Sequence, residues 1–384
     1  MGLLRLFLAL SVVAGHSQST VFGLTGPDAF VAVNIFFIIS GFYMAMVLNG
    51  KYKDLPIRTF YKSRLLRLLP VYYVGLALSL LVSFDAIRTF FATLTGLGKV
   101  LFVLSNGAIF GQDLWYVGCV KTVTGDCASP VGMTINPPSW SLAVELGFYA
   151  LAPFIVRSVK WTSMYVLFGA VYLLSLNFIN FPLQGFQAPR FDEVALSYFF
   201  YPASFIFFGC GVLAYHLSKG GIRNYYLPGI AAFILFSFAP TTFPGWQIIL
   251  ISLVVPVLFH YTKSIRADRI IGELSYPVYI LHFPILLFLQ GIEKDHPRYF
   301  SVVSIGTWVA VLSMAAGLIL YYTLETAVNK YRYSQRFLSA GGEPQLVQVD
   351  GRVSVSRWIL GSGVLSVYFA LPVFVVAYYL VAQT

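Results

Sequence analysis

Eleven apolar runs, each bounded by glycine, proline or clustered charge, decide what this chain can fold into. They fall at about 5–23, 29–48, 66–83, 139–156, 162–180, 195–215, 227–240, 245–262, 272–290, 299–323 and 358–381. A helix needs about 20 predominantly apolar residues to cross the hydrocarbon core of a bilayer, and most of the runs meet that length. The shortest, 227–240, stops before Pro240 and Pro244. The expected fold is therefore an all-α polytopic membrane protein. Composition agrees: 58% of the 384 residues are hydrophobic and 10% are charged, against about 45–50% and about 25% in soluble domains. A soluble globular domain, a disordered chain and a disulfide-dense secreted module are excluded on the same grounds. The first run carries no small-residue cleavage signal and is read as a retained span.

A further apolar stretch, 86–105, is interrupted by Arg88, Gly96, Gly98 and Lys99. Charge decides whether it spans. With the N-terminus in the cytoplasm and 86–105 lying at the interface, 19 of the 25 Lys and Arg fall in cytoplasmic segments, and only Lys121, Arg190, Lys294 and Arg298 lie outside. Counting 86–105 as a span would turn the clusters at 157–160, 219–223 and 263–269 to the external side. The positive-inside bias selects the non-spanning reading, an interfacial or re-entrant helix, with the C-terminus extracytoplasmic. The same bias accounts for the net charge of +10; no zinc-finger spacing or nucleic-acid motif accompanies it. The external loop at about 106–138 holds Cys119 and Cys127, eight positions apart. On an oxidising side they are open to pairing and equally to remaining two free thiols. Cys210 reads as a packed small hydrophobe.

Ionisable residues inside a span are expensive and mark functional sites by default. Three stand out: His16 in the first run, Glu145 in the fourth and His282 in the ninth. His16 lies 11 residues beyond Arg5, about 16 Å along a helix, and Glu145 about 9 Å below the outer end of its span. The two sit at similar depth and could line one external cavity, an imidazole beside a carboxylate being a familiar general-base arrangement. Each could equally satisfy a neighbouring helix by a hydrogen bond. Arg64 and Arg67, three apart on one helical face, read either as anchoring charge or as a site for phosphate. The five histidines form no ligand-spaced cluster, so no metal is expected.

These residues resemble, in order, the elements of the acyltransferase-3 family of integral membrane acyltransferases. Arg5 and His16 fit its Arg/Lys–ten residues–His pattern. Asn34-Ile35-Phe36-Phe37-Ile38-Ile39-Ser40-Gly41-Phe42 is similar to its FFxxSGF segment. Arg64 and Arg67, followed by Pro70, fit its RxxR element. Ser139-Trp140-Ser141-Leu142 with Glu145, Phe148 and Tyr149 fits WSLxxExxFY, and Ser275-Tyr276 through Tyr279 to His282 fits SYxxYxxH. The resemblance covers about 1–325 and implies a ten-span bundle, followed by a cytoplasmic linker at 326–357 and one further span within 358–384. No SGNH-type domain, which some relatives append, is expected there.

By resemblance, His16 is the catalytic base and Glu145 its partner or an essential charge. Arg5, Arg64 and Arg67 face an acyl-CoA donor, acetyl-CoA foremost, on the cytoplasmic side. Asn34, Ser40, Tyr279 and His282 are further candidates, the first three with Tyr279 among them as oxyanion donors. The expected activity is O-acylation of an extracytoplasmic glycan or lipid-linked sugar at the bacterial inner membrane, such as lipopolysaccharide, exopolysaccharide or peptidoglycan. An acyl-His16 intermediate is an alternative chemistry. A rival from another class is a carbohydrate or solute exporter, which would consume no acyl donor.

Overall fold

The computed structural model describes residues 1–179, 194–219, 245–329 and 331. Their regular elements are helices: α1 (Gly2–Ser17), α2 (Ala29–Leu48), α3 (Ile57–Val82), α4 (Phe84–Thr93), α5 (Gly96–Ala108), α6 (Leu114–Val117), α7 (Trp140–Ile155), α8 (Val159–Ile179), α9 (Phe205–Ser218), α10 (Gly245–Thr262), α11 (Arg266–Asp295) and α12 (Ile305–Leu320). Among the described residues five helices are long and apolar enough to cross a membrane: α2, α3, α8, α11, and α12 with its continuation to Asn329. The protein is thus an all-α, multi-pass membrane protein. The expected spans at 227–240 and 358–381 lie outside the described residues, as do most of the 181–195 loop and of the linker. The helix running to Asn329 passes the expected domain boundary at 325.

Two stretches expected as single helices are each divided. The stretch 195–215 is not one helix. A π-helical turn at Ala195–Phe199, extended backbone at Phe200 and a 3-10 turn at Tyr201–Ser204 precede α9. Pro202 lacks an N–H and cannot continue a regular ladder. The interfacial stretch divides at Leu94 and Thr95 into α4, of 10 residues, and α5, of 13; each is shorter than a span. Gly98, Phe102, Ser105 and Asn106 of α5 are buried, while Leu97, Val100 and Leu104 form an exposed apolar stripe, as suits a helix lying at a membrane surface. Cys119 and Cys127 are joined in a disulfide. Their loop is held to the α4–α5 junction by Val123 N donating to Thr93 O at 2.8 Å.

Polar groups hold the bundle where prolines interrupt it. Pro284 inside α11 leaves the carbonyl of Ile280 without its helical donor, and Asn136 Nδ2 donates to that oxygen at 3.0 Å. Asn106 Nδ2 donates to Phe102 O and Met133 O, both at 2.9 Å, while its Oδ1 accepts from Ile135 N at 2.8 Å. This buried amide is fully used and pins the 109–139 segment to the bundle. At the opposite end the first amides of α1, orphaned by helix geometry, are satisfied from outside the helix: Asp268 accepts from Gly2 N at 2.8 Å and Leu3 N at 2.9 Å.

α11 packs on α1, α3 and α12, and α2 packs on α1 and α9. The α2–α9 contact is backbone against backbone. A Cβ built on Gly41 would lie 2.0 Å from Phe208 O, and one on Gly211 would lie 1.9 Å from Ile38 O. Neither carbonyl can move without its helix, which is the close approach small residues permit between membrane helices. Gly41→Ala and Gly211→Ala are each expected to lower stability by about 1–3 kcal/mol through overpacking, read as a lower unfolding temperature in detergent. Gly96→Ala, where nothing lies within 4 Å of the added carbon, should leave that temperature unchanged.

Candidate active site

The two ends of the bundle differ in chemistry. One carries the disulfide loop, α4, α5 and the start of α7. The other, where α2 passes to α3 and α10 to α11, is rich in Lys and Arg; there Arg157 Nη2 donates to Tyr52 O and Lys53 O, both at 3.3 Å.

A cavity of about 470 Å³ penetrates from the basic end. Lys51, Lys263 and Arg269 lie among its lining residues, with Arg5, Arg64, Arg67, Asp268 and Glu273; farther along α2, α7 and α11 it is lined by Phe36, Ser40, Ser141, Glu145 and Tyr279. From Arg269 to Tyr279 it follows α11 for about 15 Å. Arg67 Nη2 pairs with Glu273 Oε2 at 3.5 Å. Among the described residues no carboxylate lies within 4 Å of a nitrogen of Arg5 or Arg64. Arg64 is only 6% exposed. Its guanidinium lies 5.9 Å from the Tyr52 ring centre and 5.6 Å from that of Phe60, and its buried Nε has no hydrogen-bond partner. A buried, unpaired cation is costly, so this wall is built to receive negative charge.

Glu145 belongs to this cavity and not to His16. Its Oε1 accepts from Ser40 Oγ at 2.7 Å and from Tyr149 OH at 2.5 Å. The expected His16–Glu145 pairing is thereby corrected. Equal depth along two helices does not fix which way each faces, and α7 turns Glu145 toward α2. Tyr149 and Ser141, which the sequence marks only as members of a segment, each make a side-chain hydrogen bond at the cavity wall. Ser141 Oγ and Tyr279 OH lie 2.8 Å apart, and both reach Pro138 O, at 3.0 and 3.3 Å. The two hydroxyl protons are thus spent within this trio, and Tyr279 can serve as an oxyanion donor only by leaving it. Asn34 is buried in α2 but does not line the cavity.

His16 has a different partner. Its Nδ1 lies 2.7 Å from Nε2 of His282, and the two rings meet edge to edge, with centres 5.0 Å apart and planes 14° from parallel. His282 is fully buried and its Nδ1 lies 2.7 Å from the carbonyl oxygen of Tyr279. His16, by contrast, is exposed in the last turn of α1, at the disulfide end. Since Tyr279 lines the cavity and its ring centre is 6.0 Å from that of His282, a single side chain separates the cavity floor from the imidazole pair. Among the described residues no group of three or more His, Cys, Asp or Glu is placed to hold a metal.

The bundle thus pairs a cationic cavity opening at one end with an exposed imidazole at the other. The chain belongs to the acyltransferase-3 family: the family model described as an acyltransferase domain matches residues 1–326. It is 24% identical to Acyltransferase MdmB of Streptomyces mycarofaciens over 89% of this chain and 94% of that protein. It is 23% identical to O-acetyltransferase OatA of Staphylococcus aureus, over 85% of this chain and 56% of the relative. With Peptidoglycan O-acetyltransferase OatA of Listeria monocytogenes it shares 21% over 95% of this chain and 60% of that protein. No solved structure matches.

Proposed function

We propose that this chain transfers an acyl group, acetyl foremost, from acyl-CoA at the basic end to a hydroxyl of a surface glycan at the disulfide end, with His16 as general base. The observation that carries this reading is the pair of guanidiniums without carboxylate partners, Arg5 and Arg64, on a cavity whose floor, Tyr279, adjoins the imidazole pair. Coenzyme A carries its phosphates at one end and its thioester at the other, so it suits a site that is cationic at the mouth and reactive at depth. A glycan acceptor is supported by the name of the Listeria relative, a peptidoglycan O-acetyltransferase. The basic end is read as cytoplasmic from the distribution of Lys and Arg, and a disulfide at the other end suits an oxidising compartment, here the outer face of a bacterial cytoplasmic membrane.

In the reaction His16 takes the proton of the acceptor hydroxyl while that oxygen attacks the thioester carbonyl carbon. The C–S bond breaks, the sulfur takes the proton back from His16, and CoA leaves through the cavity. Holding both reactants along one path supplies the orientation that solution lacks. Glu145, fixed by Ser40 and Tyr149, is a charge of the donor cavity in this scheme. Tyr279 must shift for the thioester to meet His16.

The test is the O-acyl ester content of the host's surface glycans by NMR, with and without the gene, together with transfer of label from [14C]acetyl-CoA in membranes. Gene-dependent, base-labile label in the glycan fraction is expected. Gene-dependent movement of a sugar across the membrane without consumption of acetyl-CoA would overturn the reading in favour of export.

A further inference from the structure

The imidazole pair fixes which nitrogen of His16 does the chemistry. The carbonyl oxygen of Tyr279 can only accept, so the 2.7 Å contact requires a proton on His282 Nδ1. In the neutral ring that leaves a lone pair on His282 Nε2. The 2.7 Å contact between His282 Nε2 and His16 Nδ1 then requires His16 to donate from Nδ1. The unprotonated nitrogen of His16 is therefore Nε2, the one with no hydrogen-bond partner among the described residues, on a side chain exposed at the disulfide end.

We propose that His282 is the positioning residue of the reaction: it holds His16 in the Nδ1–H tautomer, so that Nε2 is the base presented to the acceptor hydroxyl. This rests on the acyltransferase reading above and adds to it a residue that touches neither substrate. The arrangement is needed because an isolated neutral histidine favours the opposite tautomer, with its proton on Nε2, which would cap the basic nitrogen. A carboxylate commonly supplies this orientation. Here a second imidazole supplies it, and its own tautomer is set by a main-chain carbonyl. The hydrogen-bonded chain from His16 ends on a backbone atom of α11, one turn below His282 and next to the cavity floor. Among the described residues no carboxylate lies within 4 Å of a ring nitrogen of His16 or His282; the aromatic neighbours are Phe283, whose ring centre is 6.0 Å from that of His16, and Tyr279, whose ring centre is 6.0 Å from that of His282. The orienting role therefore falls on His282 and on no carboxylate.

Two substitutions separate orientation from proton relay. The amide of His282→Gln can donate from its NH2 to Tyr279 O and accept through its oxygen from His16 Nδ1–H, yet it takes up no proton. His282→Leu fills the space and makes neither bond. In membranes supplied with [14C]acetyl-CoA, His282→Gln is expected to retain transfer within about fivefold of the unsubstituted protein, and His282→Leu to lose about 10²-fold. Nitrogen-15 NMR of the histidine-labelled protein should show Nε2 of His16 as pyridine-type and Nδ1 as pyrrole-type in the unsubstituted protein and in His282→Gln. The pattern should reverse in His282→Leu. Disulfide formation and a single gel-filtration peak identify variants that have folded. If the unsubstituted protein shows Nε2 of His16 protonated, the proposal is overturned without recourse to any variant. Wild-type transfer by folded His282→Leu, or equal loss in folded His282→Gln and His282→Leu, overturns it as well. His16→Ala run alongside keeps the two levels apart: full transfer by that variant defeats the acyltransferase role of His16 itself, whereas an inactive His16→Ala beside a fully active His282→Leu defeats the tautomer assignment alone.

Discussion

His16→Ala is expected to lower the turnover of acyl transfer by about 10²–10⁴-fold, the usual contribution of a general base, while the KM for acyl-CoA stays within about twofold. The division follows from the geometry. His16 does not line the donor cavity and is exposed at the opposite end of the bundle, so its removal subtracts from the transition state and not from donor binding. Steady-state kinetics with [14C]acetyl-CoA in membranes, at matched protein levels, checks both halves. A large rise in KM with unchanged turnover would place His16 in donor binding and remove it from the chemistry. His16→Gln should be as inactive as His16→Ala, because an amide can replace the hydrogen bond to His282 but cannot take up a proton.

The bundle was legible in the sequence to the extent that hydropathy is a one-dimensional property. A run long enough to cross a membrane announces itself without knowledge of its neighbours, and 29–48 and 245–262 match α2 and α10 residue for residue. The interruption of 86–105 was also legible in Arg88, Gly96, Gly98 and Lys99, and neither helix there is long enough to span. Pro202 was the available signal for the break before α9, and a hydropathy window averages over it. Pairing between helices is not one-dimensional. Depth put His16 and Glu145 level, but the facing of each helix is set by packing such as the glycine contacts of α2 on α9. His16 meets His282 and Glu145 meets Ser40 for that reason. The disulfide was beyond reach of spacing alone, since a separation of eight positions suits either two thiols or one bridge. The family resemblance named residues that meet in space: Arg5, Arg64, Arg67, Ser40, Glu145 and Tyr279 all line one cavity. It did not divide them between that cavity and the imidazole pair, which needed coordinates.

Arg64→Ala is expected to weaken CoA binding by about 10²-fold, the scale of losing one member of a buried charge pair, without destabilising the unliganded protein. Arg64 is 6% exposed, its Nε has no partner, and no carboxylate lies within 4 Å of it among the described residues. A buried cation in that state lowers stability until an anion arrives, and its contacts with the Tyr52 and Phe60 rings offset only part of that cost. Removing it should therefore leave the apo unfolding temperature in detergent unchanged or higher, and should abolish most of the rise that CoA produces in the unsubstituted protein. A purely structural arginine would give the reverse, a lower apo temperature with the CoA-induced rise intact. Arg64→Lys should not restore affinity, because an ammonium lacks the planar fork that engages two phosphate oxygens at once and the flat face that lies against an aromatic ring. Salt distinguishes the buried cation from those at the mouth. Binding lost through Arg269→Ala should shrink as ionic strength rises, since that side chain is exposed and screened, while the loss through Arg64→Ala should depend less on salt, because a guanidinium 6% exposed and set against the Tyr52 and Phe60 rings is screened less.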